Sequence, residues 1–256
     1  MITLTKFQMF PAVTRLMVGH RLVVAMGALY LVGGAFGKNS NHFFRYNIAS
    51  NDWTRLANMS VARGYSATVH HGDHIYVIGG CPWSKRHVTA EHYNLNTDQW
   101  ETLPQLPKYC RPTLSAVVYN DRILVLGEES NDLSHLMLFH PETKQWEVLL
   151  SEKIPSRIML TLPPVLVVHE QHCYRVTFDK GTPSKQLIRV TTNNGVTEAT
   201  VEPLIHNVPE QENLTKNNAS YSSIFCIDDS KYIRLTRRDC TFKLQSENRI
   251  HRSEHG

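Results

Sequence analysis

Residues 74–103 have the sequence HIYVIGGCPWSKRHVTAEHYNLNTDQWETL, and this stretch decides the fold. An apolar run ends in Gly79 and Gly80, and Tyr93 is followed seven residues later by Trp100. The same order occurs once before and once after this stretch. The matching residues are Gly33, Gly34, Tyr46 and Trp53 in the earlier copy and Gly127, Phe139 and Trp146 in the later one. The three tryptophans lie 47 and 46 residues apart, so one structural unit is repeated along the chain.

Each repeat contains the pattern of four short strands. In the central copy, YSATVHH alternates between apolar and polar residues, GD forms a turn, and HIYVIGG is apolar. AEHYNLN, a TD turn and QWETL follow, which predicts an antiparallel meander of four strands. The Gly-Gly pair permits positive φ and close approach of neighbouring backbones. We expect the aromatic residue and the tryptophan to lie on adjacent strands and to pack between successive units.

The repeat resembles the kelch-repeat family, and in particular the kelch half of the BTB–kelch proteins. The resemblance rests on Arg63, Gly79, Gly80, Tyr93 and Trp100, on their counterparts in the other copies, and on the connection MSVARGYSA. It covers about residues 17–150, and Glu128 departs from it by replacing the second glycine of the third copy. The resemblance implies an all-β fold, a kelch β-propeller in which each repeat forms one four-stranded blade.

We predict four to five recognisable blades. The predicted ranges are a connection over 1–16, a propeller over 17–236 with blades at 17–62, 63–110, 111–156 and 157–205 and a partial blade at 219–236, and a partly disordered tail over 237–256. BTB–kelch propellers usually have six blades, which need about 280 residues. The 256 residues here hold about four and a half such units, which indicates a fragment, an alternative start or an isoform that lacks its N-terminal part, and the sequence leaves open whether the propeller closes.

The composition favours a reduced intracellular protein. The net charge is +4, and the lysines and arginines are scattered rather than clustered, which argues against nucleic-acid binding. The five cysteines show no C-x-x-C spacing and fit free thiols. The apolar run over 22–36 resembles a targeting segment, but the repeat places a hairpin turn at Met26-Gly27. We predict a cytoplasmic protein without membrane contact, with the nucleus and the cytoskeleton as alternative locations.

The sequence contains no catalytic or metal-binding motif that competes with the repeat. His70, His71 and His74 flank a hairpin turn, where side chains alternate between faces, and no carboxylate or thiolate joins them at ligand spacing. No G-x-S-x-G, P-loop or H-E-x-x-H occurs. Some kelch propellers resemble galactose oxidase or sialate epimerases, so a propeller enzyme is an alternative. We predict a protein that is not an enzyme and that has no metal and no cofactor.

The loops that follow the glycines and the loops between blades are the predicted recognition surface. The candidate partner-binding residues in these loops are Arg63, Tyr65, Trp83, Lys85, Arg86 and Arg111. Arginine offers forked donors, and tyrosine and tryptophan are typical interface anchors. Together they favour an acidic or phosphorylated segment of a protein partner. For Arg63 and Arg111 a structural role, in which they bind neighbouring backbone at the blade joint, is the equal alternative.

The resemblance implies two non-enzymatic roles. In BTB–kelch proteins the propeller recruits a substrate while the BTB part holds a cullin-RING ubiquitin ligase, so the leading expectation is substrate recognition for such a ligase. Because no helical region precedes the blades, we expect this chain alone not to bind a cullin. The second expectation is a cytoskeletal scaffold, since some kelch proteins bind actin.

Overall fold

The computed structural model describes the chain in segments. They are residues 19–34, 41–47, 50–80, 88–111, 114–130, 133–153, 165–169, 172–179, 182–193, 196–203, 223–228, 231–235 and 242–246. The predicted connection over 1–16 lies outside them. Every regular element in these segments is a β-strand. These segments contain no helix that is long and apolar enough to cross a membrane.

Within the described segments, nineteen strands form five antiparallel sheets, and the strands of each sheet follow one another in sequence order. The first sheet contains β1 (Arg21–Ala25), β2 (Ala28–Val32), β3 (Phe43–Asn47) and β4 (Asp52–Arg55). The second contains β5 (Ala67–His71), β6 (His74–Ile78), β7 (Ala90–Asn94) and β8 (Gln99–Leu103). The third contains β9 (Ser115–Tyr119), β10 (Arg122–Ser130), β11 (Leu133–His140) and β12 (Gln145–Lys153).

The last two sheets lie where the repeat pattern fades. The fourth contains β13 (Val165–His169), β14 (His172–Asp179), β15 (Thr182–Asn193) and β16 (Val196–Pro203). The fifth has three strands, β17 (Ser223–Asp228), β18 (Lys231–Leu235) and β19 (Phe242–Ser246). The strands of the first four sheets fall inside the predicted blade ranges. The strand β19 lies in the range that we predicted as a tail, because it carries neither the Gly-Gly pair nor the tryptophan of the repeat.

The first four sheets are the blades of a kelch β-propeller. The first strands of successive sheets contact one another in chain order, β1 with β5, β5 with β9 and β9 with β13. This order places the sheets side by side around a common axis, as the repeat predicts. The structure is therefore an incomplete propeller whose blades have four antiparallel strands, and the predicted fold class is confirmed.

The core consists of layers between neighbouring blades. The strand β6 shows why, since Ile75 and Val77 pack toward the first blade while Tyr76 and Ile78 pack toward the third. Side chains of a strand alternate between the two faces of its sheet, so a blade with neighbours on both sides is apolar throughout. The strand β10 repeats this alternation, and its Leu124 and Leu126 pack toward the fourth blade.

The aromatic pairs of the repeat lie as predicted. Tyr46 is paired with Trp53, Tyr93 with Trp100, and Phe139 with Trp146 on adjacent strands. Their ring centroids lie 4.9, 5.2 and 4.7 Å apart, respectively. All three tryptophans are partly buried. Two of them bind the preceding connection, because Trp100 Nε1 donates to Ala57 O at 2.8 Å and Trp146 Nε1 donates to Pro104 O at 2.9 Å.

Candidate interaction surface

The joint between the first two blades is built around a buried arginine. Arg63 is 1% exposed, and its Nε donates to Glu91 Oε1 at 2.8 Å. Its Nη1 donates to Gly79 O at 2.6 Å and to Thr89 O at 2.9 Å, and its Nη2 donates to Thr89 Oγ1 at 2.9 Å. The guanidinium is thus enclosed by the second blade. The partner-binding role predicted for Arg63 is wrong for this structure, and the structural alternative is the one that the contacts support.

Glu91 completes this network. Its side chain is fully buried, and its Oε2 accepts hydrogen bonds from Ser60 N at 2.8 Å and from Ser60 Oγ at 2.9 Å. A buried ion pair requires such extra hydrogen bonds to offset its desolvation. The sequence analysis did not single out Glu91. Its position in β7, opposite the apolar strand β6, identifies it as a charge that needs a buried partner.

The backbone of Arg63 also binds the first blade. Gly34 N donates to Arg63 O at 2.8 Å, so the end of β2 is held against the connection that enters β5. A Cβ atom on Gly33 would lie 2.0 Å from Arg63 O, well inside contact distance. The Gly-Gly pair therefore provides the close approach of backbones that the sequence predicts at the blade joint.

Arg111 occupies the position of Arg63 in the next repeat and has a different environment. Its side chain is exposed, and its backbone N donates to Glu128 O at 2.6 Å. The residue in the third blade that corresponds to Glu91 is Met137, which is buried and carries no charge. The third blade thus lacks the carboxylate that holds the guanidinium of Arg63 inside the second blade, and the charge of Arg111 acts on Glu128 instead. Arg111 therefore lies at the surface and stays a predicted partner-binding residue.

Tyr65 lies in the same connection as Arg63 and has a strained backbone. Its φ is 58°, in the left-handed region that bulky residues rarely adopt. Its backbone N donates to Gly19 O at 2.7 Å, and a Cβ on Gly19 would lie 2.9 Å from the tyrosine ring. The ring thus rests on Gly19, one repeat earlier, and the side chain is only partly buried. The prediction that Tyr65 contacts a partner is compatible with this position.

Trp83, Lys85 and Arg86 lie outside the described residues, in the loop that follows Gly80. Their assignment to the recognition surface stays a prediction. Gly80, which precedes this loop, has a φ of 86° and lies in the left-handed region, as does Gly79.

Three histidines of the second blade lie close together, at its first hairpin and on the neighbouring strand. Across the described segments, no three His, Cys, Asp or Glu side chains are arranged to hold a metal ion. His71 and His74 face each other across the hairpin of β5 and β6. The ring of His74 stacks on that of His92 with centroids 4.4 Å apart, and burial lowers the pKa of His74.

A second polar cluster, at the joint of the third and fourth blades, was missed by the sequence analysis. Glu128 is 7% exposed, and burial raises the pKa of its carboxyl group, an effect that the charges of Arg111 and Arg175 oppose. Arg175 is 6% exposed and forms an ion pair with Glu152 through Nη1. The replacement of the second glycine by Glu128 was visible in the sequence, but its facing residue in the fourth blade was not.

Comparison with known proteins places the fold in a family. Residues 3–174 match the KLHDC2/KLHL20/DRC7 Kelch-repeats domain. The chain is a member of the kelch-repeat family, whose propellers serve as protein-interaction modules.

Among its relatives is a RING finger domain and kelch repeat-containing protein of Dictyostelium discoideum. It is 30% identical over 134 residues, which are 48% of this chain and 13% of that protein. Kelch-like protein 40 of Xenopus laevis is 30% identical over 149 residues, 52% of this chain and 24% of that protein. Beta-scruin of Limulus polyphemus is 28% identical over 131 residues, 47% of this chain and 14% of that protein. The chain thus spans about a quarter or less of the length of these relatives.

Proposed function

We propose that this chain is the substrate-recognition part of a cullin-RING ubiquitin ligase adaptor. In this proposal the propeller binds a protein segment, and a BTB part joined to the kelch repeats contacts the cullin. The match to Kelch-like protein 40 supports the proposal that this chain comes from a kelch-like protein. The name of the Dictyostelium relative couples kelch repeats with a RING finger domain, which supports the ligase context. In this proposal the propeller only binds a partner, and the proposal assigns the propeller no reaction and no cofactor.

The observation that carries the recognition role is the strained Tyr65. A left-handed conformation costs a residue with a side chain about 1–2 kcal/mol. Such strain persists where the surrounding structure enforces it, and it is concentrated at functional sites. Here Gly19 supports both the backbone and the ring of Tyr65 and directs a partly buried aromatic side chain along the blade joint.

Arg111 extends this surface to the next joint. It lies in the connection between the second and third blades, one repeat after the connection that contains Tyr65, and its side chain is exposed. An aromatic anchor and a cationic fork favour an acidic or phosphorylated segment as the ligand. The predicted Trp83, Lys85 and Arg86 would add a second anchor and two further cations between these joints.

The proposal is tested by substitutions at this surface. Tyr65→Ala, Trp83→Ala, Arg86→Ala and Arg111→Ala should each weaken capture of a substrate segment by more than about 1 kcal/mol. Their melting temperatures should stay close to that of the parent. Arg189→Ala is the matched control, because Arg189 is an exposed arginine of β15 that pairs with Glu202 on the outer part of the fourth blade. Binding is measured by fluorescence anisotropy with acidic and phosphorylated peptides identified by proximity labelling of a BTB-containing form.

Three results would contradict the proposal. Equal losses of binding and of melting temperature would mean that these residues hold the blades together. Robust cullin co-purification with the 256-residue chain would contradict the assignment of that contact to a BTB part. Co-sedimentation with actin filaments, without any effect of these substitutions on ubiquitination, would favour the scaffold alternative.

A further inference from the structure

A serine, a histidine and a glutamate form a hydrogen-bonded chain across the third blade. His135 of β11 is 2% exposed and lies between Ser151 of β12 and Glu129 of β10. Its Nδ1 lies 2.8 Å from Ser151 Oγ, and its Nε2 lies 2.8 Å from Glu129 Oε2. The serine and the glutamate are 16 and 6 residues away from the histidine along the chain, so no short sequence motif marks this group.

The carboxylate of Glu129 fixes the direction of both hydrogen bonds. An ionised carboxylate only accepts, so Nε2 of His135 carries the proton and donates to Glu129. In a neutral imidazole the other nitrogen is then an acceptor, and the serine hydroxyl must donate to it. Ser151 thus donates to a basic nitrogen whose ring is oriented by a carboxylate. This is the arrangement that activates a serine nucleophile.

The serine is accessible, whereas the base behind it is enclosed. Ser151 is exposed, and the side chain of Glu129 is 42% exposed, while His135 is buried between them. Both hydrogen bonds of the imidazole are strengthened in such a low-dielectric environment, which holds the ring in one orientation. Ser151 is therefore open to a reagent from solvent and bonded to a fixed base.

The repeat position of His135 has a different role in the second blade. Its counterpart there is Thr89, which accepts hydrogen bonds from the guanidinium of Arg63. In the third blade the matching Arg111 is exposed, and the histidine binds the glutamate and the serine instead. The group of three is therefore a property of this blade and not of the repeat.

A second buried histidine shows what the serine adds. His92 is 6% exposed, and its Nε2 lies 2.9 Å from Glu101 Oε2. Its Nδ1 has no hydrogen-bond partner among the described residues. This pair has a base and an orienting carboxylate but no hydroxyl on the other ring nitrogen, so it lacks the nucleophile that Ser151 supplies in the third blade.

Cys110 is the other potential nucleophile near Glu129. Burial, together with the charges of Glu129 and Glu128, raises the pKa of the Cys110 thiol to about 12. The thiolate is the reactive form of a cysteine, and a buried thiol that keeps its proton is inert. We therefore expect an electrophile at this joint to react with the serine and not with the cysteine.

We propose that Ser151, His135 and Glu129 form a nucleophilic triad through which Ser151 takes up the acyl group of a carboxylic ester. The serine oxygen forms a bond to the carbonyl carbon, and the hydroxyl proton passes to His135 Nδ1. The bond from that carbon to the ester oxygen breaks, and the leaving alcohol takes the proton from the imidazole. Water then attacks the acyl-serine in the same way and releases the carboxylic acid. Glu129 positions the imidazole, and none of these steps depends on the proposed binding of a partner.

The reaction is tested with p-nitrophenyl acetate and the intact chain. We expect release of p-nitrophenolate and an acetyl group on Ser151, located by mass spectrometry of peptides. Ser151→Ala should abolish this label, and His135→Gln should lower the acylation rate by at least about a hundredfold. Ser50→Ala is the matched control, because Ser50 is an exposed serine in the turn between β3 and β4, and this variant should react like the parent.

Two results of this experiment would overturn the proposal and leave the proposed function untouched. The first is acetylation of lysines or of Cys110 without acetylation of Ser151. The second is a Ser151 label that forms at the parent rate in His135→Gln, because the imidazole would then take no part in the reaction.

The direction of the hydrogen bonds is tested in the unreacted protein, without any substitution. The NMR resonances of the two imidazole nitrogens distinguish a ring protonated at Nε2 from one protonated at Nδ1, and we expect His135 to carry its proton at Nε2. A proton at Nδ1 would overturn the proposal, because the serine would then accept a hydrogen bond instead of donating one.

The positioning role of Glu129 is tested by the same resonances. Glu129→Ala should shift His135 toward the form protonated at Nδ1 and lower the acylation rate by at least about tenfold. Glu147→Ala is the matched control, because Glu147 is a glutamate of the same blade that pairs with His140 instead. A Glu129→Ala variant with the parent's proton position and the parent's rate would overturn the assignment of Glu129.

Discussion

At the scale of single residues, two arginines in the same repeat position have opposite environments. Arg63 is enclosed and paired with Glu91, whereas Arg111 is exposed, because the third blade has Met137 where the second has Glu91. Both arginines are visible in the sequence. The acidic partner that decides between a joint residue and a surface residue lies 28 residues away along the chain.

The buried ion pair gives the first prediction. Arg63→Met leaves the carboxylate of Glu91 buried and unpaired, and we expect a loss of about 3–5 kcal/mol in the free energy of unfolding. The double variant Arg63→Met, Glu91→Met should recover part of this loss, because no charge remains buried. Arg111→Met, at the matched exposed position, should change the stability by about 0.5 kcal/mol or less. Denaturant unfolding measures all four proteins, and equal losses for Arg63→Met and Arg111→Met would contradict the structure.

A second prediction concerns pH. The hydrogen bonds of Glu101 to Lys144 and to His92 lower the pKa of Glu101 to about 2 from an ordinary value of 4.5. A carboxyl group with a lower pKa in the folded state stabilises the fold above its unfolded pKa and loses that contribution as the pH falls through the folded pKa. Glu101 is exposed, so solvent screening limits the contribution to about 1 kcal/mol or less. The stability difference between the parent and Glu101→Gln should therefore shrink between about pH 5 and pH 2.

The measurement is thermal or denaturant unfolding of both proteins at several pH values. Glu198→Gln is a suitable control, since Glu198 is an exposed glutamate of β16. A difference between the parent and Glu101→Gln that stays constant down to pH 2 would show that the contacts of Glu101 do not depend on its charge.

At the scale of elements, a blade is a local meander whose strands are positioned by contacts to the preceding blade. The strands β2 and β6 are each followed directly by a glycine pair, whereas β10 continues through Glu128 to Ser130. A side chain at the second glycine position thus lengthens the strand and introduces a charge into the seam with the next blade. This departure from the repeat lies in the longer third blade and contributes one charge to the polar cluster beside the fourth.

The third prediction compares two glycines of the same hairpin. Gly27 and Gly33 both have positive φ, at 70° and 64°, so alanine is strained at either position. Nothing lies within 4 Å of a Cβ at Gly27, but a Cβ at Gly33 would overlap Arg63 O. We expect Gly27→Ala to cost about 1–2 kcal/mol and Gly33→Ala several kcal/mol more, because the blade joint must open. Equal effects in denaturant unfolding would mean that the joint is looser than the structure shows.

At the scale of the whole molecule, stability is distributed along a series of blade interfaces. The strand β6 is buried on both faces, whereas Val165, Val167 and Val168 of β13 are 38–40% exposed. In a repeat architecture the stability of each unit depends on its neighbours. The second blade, with apolar layers on both sides, should therefore be more resistant to local opening than the fourth.

Hydrogen exchange tests this distribution. We predict that backbone amides in the centre of β6 exchange more slowly than those in β13 and β14 under native conditions, because local opening of the fourth blade exposes less apolar surface. The outermost strands β8 and β16 serve as internal controls for edge fraying. Equal protection of the second and fourth blades would show that the described sheets unfold as one cooperative unit.

The sequence by itself determined the repeat, its four strands per unit, the turn positions and the aromatic pairs. The strands, turns and aromatic pairs of each unit depend on residues close in sequence, where local alternation and turn chemistry specify them, and the repeat follows from the recurrence of that pattern. It did not determine the strand β19, which lacks the marks of the repeat, or the opposite environments of Arg63 and Arg111.

Only the tertiary structure decided which polar side chains are buried and what they face. Glu128 and Arg175 lie on different blades, 47 residues apart, and their proximity follows from the packing of one sheet against the next. The cost of burying a charge depends on the groups around it, and those groups come from distant parts of the chain. A repeat pattern therefore predicts the blades, while the chemistry of each joint arises only when two blades come together.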